Sequence, residues 1–374
     1  MNKFSMKTEI ISGNNSISEL SNMPIKNALV VCDPFMVKSG KISAVTDALD
    51  KLDVKYDIFS EVVPDPSIDV VSGGLFKGIS LKPDTIIALG GGSAMDTAKV
   101  IKHLMDNIEI KLICIPSTSG TGSEVTSFAV ISDPSVNGKY ALVDEDMIPD
   151  IAILDPSLTM SVPATITADT GMDVITHDLE AYVSLNSTSF TDALAEKSIR
   201  IVWNELPKVV KNGNDVEARK VVHDASCMAG MAFSGASLGI CHSLAHALGG
   251  RFHKAHGRLN AMLLPYVIQY NSGIDGSEET EALHRYAQIA RVLNISSYTD
   301  RSTVNLLIGN LKRLTDQLSI PKTIAQLGID ENEYKSAVPD MAKAALKDRC
   351  TVTNPVVPRQ EDSENIYLKL VKGS

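Results

Sequence analysis

Along the first 155 residues, apolar and polar positions alternate between two periods. "NALVVCD" (27–33), "KYDIFSEV" (55–62), "TIIALG" (85–90), "KLICIPS" (111–117) and "DIAILD" (150–155) are short apolar runs. Their length and β-branched content predict strands. "SAVTDALDKL" (43–52), residues 67–78 and "SAMDTAKVIKHLM" (93–105) carry the spacing of a one-sided helix. Strands alternating with helices predict a mostly parallel sheet covered by helices. "EVTSFAVISDPSVNGKYALVD" (124–144) differs: two β-rich arms flank a Pro/Asn/Gly turn, which predicts a hairpin.

After "LDPSLTMSVPA" (154–164) the texture changes. Long helical patterns such as "TDALAEKSIRIVWNEL" (191–206) and "YAQIARVLN" (286–294) dominate, and "NPVVPRQ" (354–360) reads as an extended segment before a last helix. The expected organisation is an α/β domain over residues 1–160 and an all-α domain over 161–374. The 374 residues suit two cores.

Composition narrows the function classes. The chain is 44% hydrophobic and 21% charged, typical of a globular protein. Its net charge of −10 argues against a nucleic-acid partner and against an anionic membrane surface. The five cysteines are scattered with no C-x-x-C pair, which fits a reducing compartment better than a disulfide framework. The N-terminus lacks the apolar core of a signal peptide, and no run approaches the roughly 18 apolar residues of a spanning helix. A cytoplasmic location is expected.

Three loops at predicted strand ends suggest a nucleotide. Gly90, Gly91, Gly92 and Ser93 lie between a strand and a helix, where backbone can approach a phosphate and a helix N-terminus can hold it. Ser93 is a candidate cap. This is neither G-x-G-x-x-G nor a P-loop, and a plain strand-to-helix turn explains it equally well. Asp33 ends another strand, where a carboxylate can bind adenosine ribose hydroxyls and repel a 2′-phosphate; as a turn-starting residue before Pro34 it would be ordinary. "PSTSGTGSE" (116–124) follows a third strand. Loops at the carboxyl ends of strands are where open α/β sheets bind ligands, and three together favour a dinucleotide.

Half of the eight histidines fall in one stretch, "GICHSLAHALGGRFHKAHGR" (239–258). His242 and His246 are spaced i, i+4, and so are Asp173 and His177 in "TGMDVITHDLEAYVS" (170–184). His256 follows His242 by fourteen positions, beyond an expected break at Gly249-Gly250. A carboxylate with several imidazoles suits Fe²⁺ or Zn²⁺. Any one helical histidine is more often a packed or surface group. His103, His223 and His284 are read that way, and His253 as a bystander.

The set "GGGSAMDTAK", "PSTSGTGSE", "TGMDVITHDLEAYVS" and "HSLAHALGGRFHKAHGRLNAMLLP", in order along the whole chain, resembles the iron-containing (group III) alcohol dehydrogenases. The resemblance implies a dehydroquinate synthase-like architecture, with a cleft between an α/β and a helical domain. It implies NAD(H) and one divalent metal, Fe²⁺ or Zn²⁺, held by Asp173, His177, His242 and His256. It places His246 by the substrate without making it a ligand, and the position one turn after His242 makes it the catalytic proton-relay candidate. It assigns Gly91, Gly92 and Ser93 to the pyrophosphate, Asp33 to the ribose, and Ser117, Thr118 and Lys139 to the nicotinamide side. Within the family the likeness is to the subgroup that interconverts propanal and 1-propanol in propanediol-utilisation microcompartments. That implies a homodimer or larger assembly and shell or enzyme partners. Ala255 replaces the family's usual proline before the ligand His256, and Cys241 beside His242 raises the expectation of oxidation sensitivity. Two rivals stand beside this reading: a glycerol dehydrogenase-like polyol oxidoreductase, and a dehydroquinate synthase-like lyase. The lyase would need a basic cluster for an acidic phosphorylated substrate, and none is evident near the histidines.

Overall fold

The computed structural model describes residues 4–105, 109–133, 138–276 and 279–373. It divides into two compact units, one of residues 5–162 with 214–230, the other of 1–4, 163–213 and 231–374.

The first unit is built on a six-stranded parallel sheet. In chain order its elements are β1 (Glu9–Ser12), β2 (Asn27–Cys32), α1 (Pro34–Lys38), α2 (Ser43–Lys51), β3 (Lys55–Phe59), α3 (Ile68–Leu81), β4 (Thr85–Gly90), α4 (Gly92–Leu104), β5 (Lys111–Pro116), β6 (Phe128–Asp133), β7 (Gly138–Val143) and β8 (Ile151–Leu154). The strand order is β1-β8-β5-β4-β2-β3, and β6 and β7 form a separate antiparallel hairpin. The predicted strands and helices are present, and the two arms of the predicted hairpin pair; its turn, residues 134–137, lies outside the described residues. The sequence pattern misses β1 and α1, which are four and five residues long and too short to show a period.

Alternation sorts the strand residues into two cores. Val30, Ile87, Leu89, Ile113, Ile115 and Ile153 pack with Val45 and Leu49 of α2. Leu29, Val31, Ile86, Ala88, Leu112 and Cys114 pack with Val71 of α3 and Met95, Ala98 and Ile101 of α4. Successive side chains point to opposite faces, so a sheet covered on both sides needs apolar residues at every position. That is why these strands read as unbroken apolar runs.

The strand order reverses between β2 and β4. One βα connection leads from β2 outward to β3, and the next strand, β4, returns to the other side of β2. In an open parallel sheet such a switch point leaves a crevice at the carboxyl ends of the strands. Asp33 follows β2 and Gly91 follows β4, so both stand at that crevice.

The second unit is helical: α5 (Ala164–Val183), α6 (Ser189–Lys211), the end of α7 (Val216–Ala236), α8 (Ile240–Phe252), α9 (His256–Ser272), α10 (Glu281–Val292), α11 (Asp300–Gln317), α12 (Glu331–Lys347) and α13 (Gln360–Lys372). α5 is its centre, buried from Thr167 to Val183 except at Thr170 and packed by α6, α9 and α10. α8 packs on α9 and α12. The expected Gly249-Gly250 break is absent. α8 runs through both glycines and stops at His253, whose left-handed conformation (φ 53°) ends it. An interior glycine costs a helix about 1 kcal/mol, which packing can absorb.

The chain is not divided at one point. Residues 214–230, from α7, belong with the sheet unit. The Arg219 guanidinium donates to the Val162 carbonyl (3.0 Å), and Gly230 lies against Gly122, where a Cβ would come within 2.8 Å. A helix looks alike in sequence whichever unit it covers, so a division at 160 could not anticipate this.

Candidate metal centre and cofactor frame

α5 places Asp173 and His177 one turn apart on one face, and α8 carries His242 as its third residue, in the first turn. All three are buried, with donor atoms within 4.8 Å of one another. His256 opens α9 and brings its Nε2 to 3.6 Å from Asp173 Oδ1; His242 Nε2 lies 3.8 Å from the same oxygen. The His177 and His242 rings stack at 4.7 Å, and the His242 and His256 rings are 5.3 Å apart. The structure therefore brings together all four residues that the resemblance assigned to the metal.

The donor set fits a divalent ion. Donors sharing an ion about 2.1 Å away lie roughly 3.0–3.4 Å apart, and the 3.6 and 3.8 Å spacings from Asp173 Oδ1 to His256 and His242 are a little wider. His242 Nε2 is buried and has no hydrogen-bond partner, which is costly for an imidazole nitrogen without a cation. Burial raises Asp173 to about 7, against the pull of the Asn260 amide, and pushes His242 well below the usual histidine range. A neutral imidazole is the form that ligates.

His242 is oriented by Glu180. Its Nδ1 lies 2.5 Å from Glu180 Oε2, and the Glu180 carboxylate also accepts the backbone N–H groups of Cys241 (2.7 Å) and His242 (3.3 Å). The positive end of α8 holds this buried acid, although burial raises it to about 7. With Nδ1 committed, Nε2 is left to face Asp173. This is the carboxylate–histidine arrangement that fixes a ligand's tautomer. Sequence reasoning passed over Glu180, although a signal was there: it sits seven residues after Asp173 and three after His177, on the same helix face.

Asn260 is a second omission. Its Nδ2 donates to Asp173 Oδ1 (2.7 Å) and contacts His256 Nε2 (3.0 Å). Arg258 forks onto Asp169, Nε to Oδ1 at 3.0 Å and a terminal nitrogen to Oδ2 at 2.9 Å.

His246 stands at the margin of the cluster, its ring 5.0 Å from that of His256. Its Nδ1 bonds Asp348 Oδ2 (2.8 Å), and Asp348 also accepts from Ser243 Oγ and the Cys350 N–H. Burial pushes Asp348 up, but these bonds outweigh it and hold the carboxyl below its usual range. His246, Asp348 and Cys350 are close enough to form a second donor cluster. The hydrogen bonds already account for their proximity, and burial keeps the Cys350 thiol protonated. Nothing in the sequence pointed to Asp348, about a hundred residues away.

The Cys241 thiol does not carry the expected reactivity. It is buried, donates weakly to the Asn260 carbonyl (3.6 Å), and is pushed well up by burial and then by Glu180 and Asp173. Oxidation needs an accessible thiolate.

The cofactor candidates gather on the sheet unit. Gly91 caps α4, so Gly92 and Ser93 occupy its first turn, whose N–H groups have no acceptor within the helix. Ser93 is therefore inside the helix and is not its cap. Gly90 needs glycine, with φ at 154° and only 2.8 Å between an added Cβ and the Ala94 Cβ. Asp33 divides its oxygens. Oδ1 caps α1 through the N–H groups of Phe35 (2.7 Å) and Met36 (3.2 Å), while Oδ2 is turned towards Gly90. Ser117 is buried, its N–H bonded to the Gly90 carbonyl (2.8 Å), and Thr118 Oγ1 comes within 3.4 Å of an added Gly91 Cβ. Lys139 lies in β7 opposite Ser132; its side chain lies outside the described residues.

Beneath these loops is a polar frame that the sequence did not reveal. Buried Lys99 donates to Ser123 Oγ (2.7 Å), Thr126 Oγ1 (3.1 Å) and the Phe128 carbonyl (2.8 Å). Asp96 accepts from Ser123 Oγ (2.7 Å) and the Val130 N–H (3.0 Å). α4 is thus tied to the 117–126 loop. His223, read as an ordinary helix residue, pairs its Nδ1 with Ser119 Oγ (2.9 Å) in that loop, and burial lowers it to about 4. The remaining histidines are peripheral. His103 and His284 pair with Asp146 and Asp300, and His253 is exposed.

Comparison with known proteins decides the family. Residues 7–156 match the description "Iron-containing alcohol dehydrogenase", and residues 167–371 match its C-terminal counterpart. The chain belongs to the iron-containing alcohol dehydrogenase family. It is 43% identical to the 1-propanol dehydrogenase PduQ of Citrobacter freundii, over 99% of this chain and 100% of the relative. It is 38% identical to an NADPH-dependent butanol dehydrogenase of Clostridium saccharobutylicum, over 100% and 99%. Among solved structures it resembles a 1,3-propanediol oxidoreductase (30% identity, TM-score 0.92, 99% and 100% coverage). It also resembles the iron-containing alcohol dehydrogenase of Thermococcus thioreducens (34%, TM-score 0.91, 100% of both). The chain is therefore an oxidoreductase of the alcohol–aldehyde type, with an α/β unit and a helical unit as the motifs implied.

Proposed function

We propose that this chain is a metal- and NAD(H)-dependent dehydrogenase interconverting a short primary alcohol and its aldehyde, with propanal and 1-propanol as the substrate pair. The observation that carries the chemistry is the convergence of Asp173, His177, His242 and His256, with buried His242 Nε2 aimed at Asp173 Oδ1. The substrate pair rests on the full-length likeness to 1-propanol dehydrogenases. When bound, a divalent ion supplies Lewis acidity to the substrate oxygen and the nicotinamide supplies or takes the hydride.

The chain's own groups do the rest. Glu180 holds His242 in the tautomer whose Nε2 is a donor to the ion. Asn260 holds Asp173 through Oδ1. His246 has Nδ1 committed to Asp348 and Nε2 open, and its side chain is 30% exposed, so it can carry a proton between the site and water at Nε2. On the sheet unit, the first turn of α4 supplies N–H groups for the pyrophosphate, with Gly91, Gly92 and Ser93 in place. Asp33 Oδ2 supports binding of the ribose hydroxyls and a preference for NAD over NADP. Ser117, Thr118 and Lys139 are proposed for the nicotinamide side.

Among the described residues no single helix is long and apolar enough to cross a membrane. A homodimer or larger assembly, enclosed with shell or enzyme partners in a microcompartment, is proposed from the sequence likeness to that subgroup alone. The test of the central reading is His242→Ala, compared with wild type in an anaerobic assay of NADH oxidation with short aldehydes and Fe²⁺ or Zn²⁺. Turnover and bound metal are both expected to vanish. A metal-free variant turning over at the normal rate would overturn the assignment.

A further inference from the structure

His256 differs from the other three donors in how it is held. The side chains of Asp173 and His242 are 6% and 2% exposed, and His177 is buried, whereas the His256 side chain is 38% exposed. The others sit inside helices. His256 is the first residue of α9, reached through left-handed His253 and exposed Ala255, and no side chain caps that helix start. Burial does not fix this imidazole; its contacts with Asn260 Nδ2 (3.0 Å) on its own helix and with the His246 ring (5.0 Å) act only once the start of α9 is in place.

What fixes the start of α9 is one turn of α5. Gly257 lies against the backbone of Asp169, where an added Cβ would be 2.2 Å from the Asp169 carbonyl oxygen and 3.1 Å from the Asp173 Cβ. Arg258 then forks both carboxylate oxygens of the same residue, and the Asp169 side chain is only 9% exposed. Asp169 is four residues before Asp173, and Arg258 is two after His256. One ion pair therefore ties the turn carrying one donor to the turn carrying another. A single exposed ion pair contributes little. A bidentate fork on a buried carboxylate fixes geometry, and lysine cannot reproduce it.

We propose that Asp169 and Arg258 are a positioning pair that docks His256 onto the metal centre and sets how tightly the ion is held. The proposal rests on the reading that Asp173, His177, His242 and His256 are the ligands. Removing the pair leaves three buried donors in place and loosens the helix start that carries the fourth. The expected result is weaker metal binding, by the 10–100-fold typical of lost outer-sphere support, without loss of fold.

The test uses the full chain, with Zn²⁺ affinity measured by competition against a chelator and Co²⁺ as a spectroscopic probe. Arg258→Ala and Asp169→Ala are each expected to raise the Zn²⁺ Kd 10–100-fold. The double variant should be no worse than either single one, and the Co²⁺ absorption of Arg258→Ala should move towards that of His256→Ala. Arg258→Lys should fail to restore wild-type affinity. Should Arg258→Ala not fold, Arg258→Met, which keeps the apolar stem, is read the same way. Wild-type Kd in the arginine variant overturns the proposal, as do additive effects in the double variant or an unshifted Co²⁺ spectrum. His242→Ala separates this failure from that of the ligand reading. If it too binds Zn²⁺ with wild-type affinity, the ligand set is wrong; if it loses the ion while Arg258→Ala does not, only the pair is excluded.

Discussion

Glu180 shows what a single side chain decides at this centre. It takes two backbone N–H groups at the start of α8 and the Nδ1 of His242, all while buried. Glu180→Gln keeps the size but removes the charge and places an amide against these donors. The expected outcome is a Zn²⁺ affinity lower by about 10–100-fold with α8 intact by circular dichroism; an unchanged Kd in chelator competition would show that His242 is oriented without it. Residue spacing announced part of this site. Asp173 with His177, and His242 with His246, are legible because a helix turn places i and i+4 on one face. Which nitrogen of His242 faces Asp173 was not legible, because that depends on a carboxylate sixty-two residues away.

At the scale of elements, α7 carries the clearest surprise. Its first part belongs with the sheet unit and brings His223 to Ser119 in the 117–126 loop. Burial lowers His223 from 6.5 to about 4. A group with a depressed pKa takes up its proton in the unfolded chain first, so it lowers stability as pH falls from about 6.5 towards 4 and adds nothing above. The full difference is about 3 kcal/mol. Denaturant titrations of wild type and His223→Gln should therefore converge in pH slope above 6.5 and diverge below it, the wild type losing more. Parallel curves over that window would mean that His223 is not buried neutral. Glu124 works in the opposite sense. Raised by burial to about 7 from 4.5, it lowers stability as pH climbs between those values, so the comparison must be made between variants and not within one curve.

At the scale of the whole molecule, the two kinds of ligand belong to different units. The metal donors all lie in the helical unit, and the phosphate-loop candidates all lie in the sheet unit. A ligand stabilises the part that holds it. In amide hydrogen exchange, Zn²⁺ is expected to slow α5, the start of α8 and the start of α9, and NADH to slow the 90–96 and 117–123 segments. Protection by Zn²⁺ confined to β4 and α4 would contradict the assignment. The switch point between β2 and β4 explains why the loops converge. Asp33 and Gly91 are fifty-eight positions apart but follow neighbouring strands.

Sequence alone determined what depends on local periodicity. The central strands, the hairpin arms, the long helices and the four-residue spacing of donor pairs follow from burial on one or two faces of a regular element, and an apolar pattern records that directly. Tertiary structure decided what depends on contacts between distant segments. It assigned the first part of α7 to the sheet unit, carried α8 through its glycines, paired His246 with Asp348, aimed His242 through Glu180 and forked Arg258 onto Asp169. These contacts join residues that no short window holds together, and their geometry is set by helix packing. The motifs already pair the histidine cluster with Asp173 and His177 of α5; the fold adds the packing that brings those donors within 4.8 Å of His242.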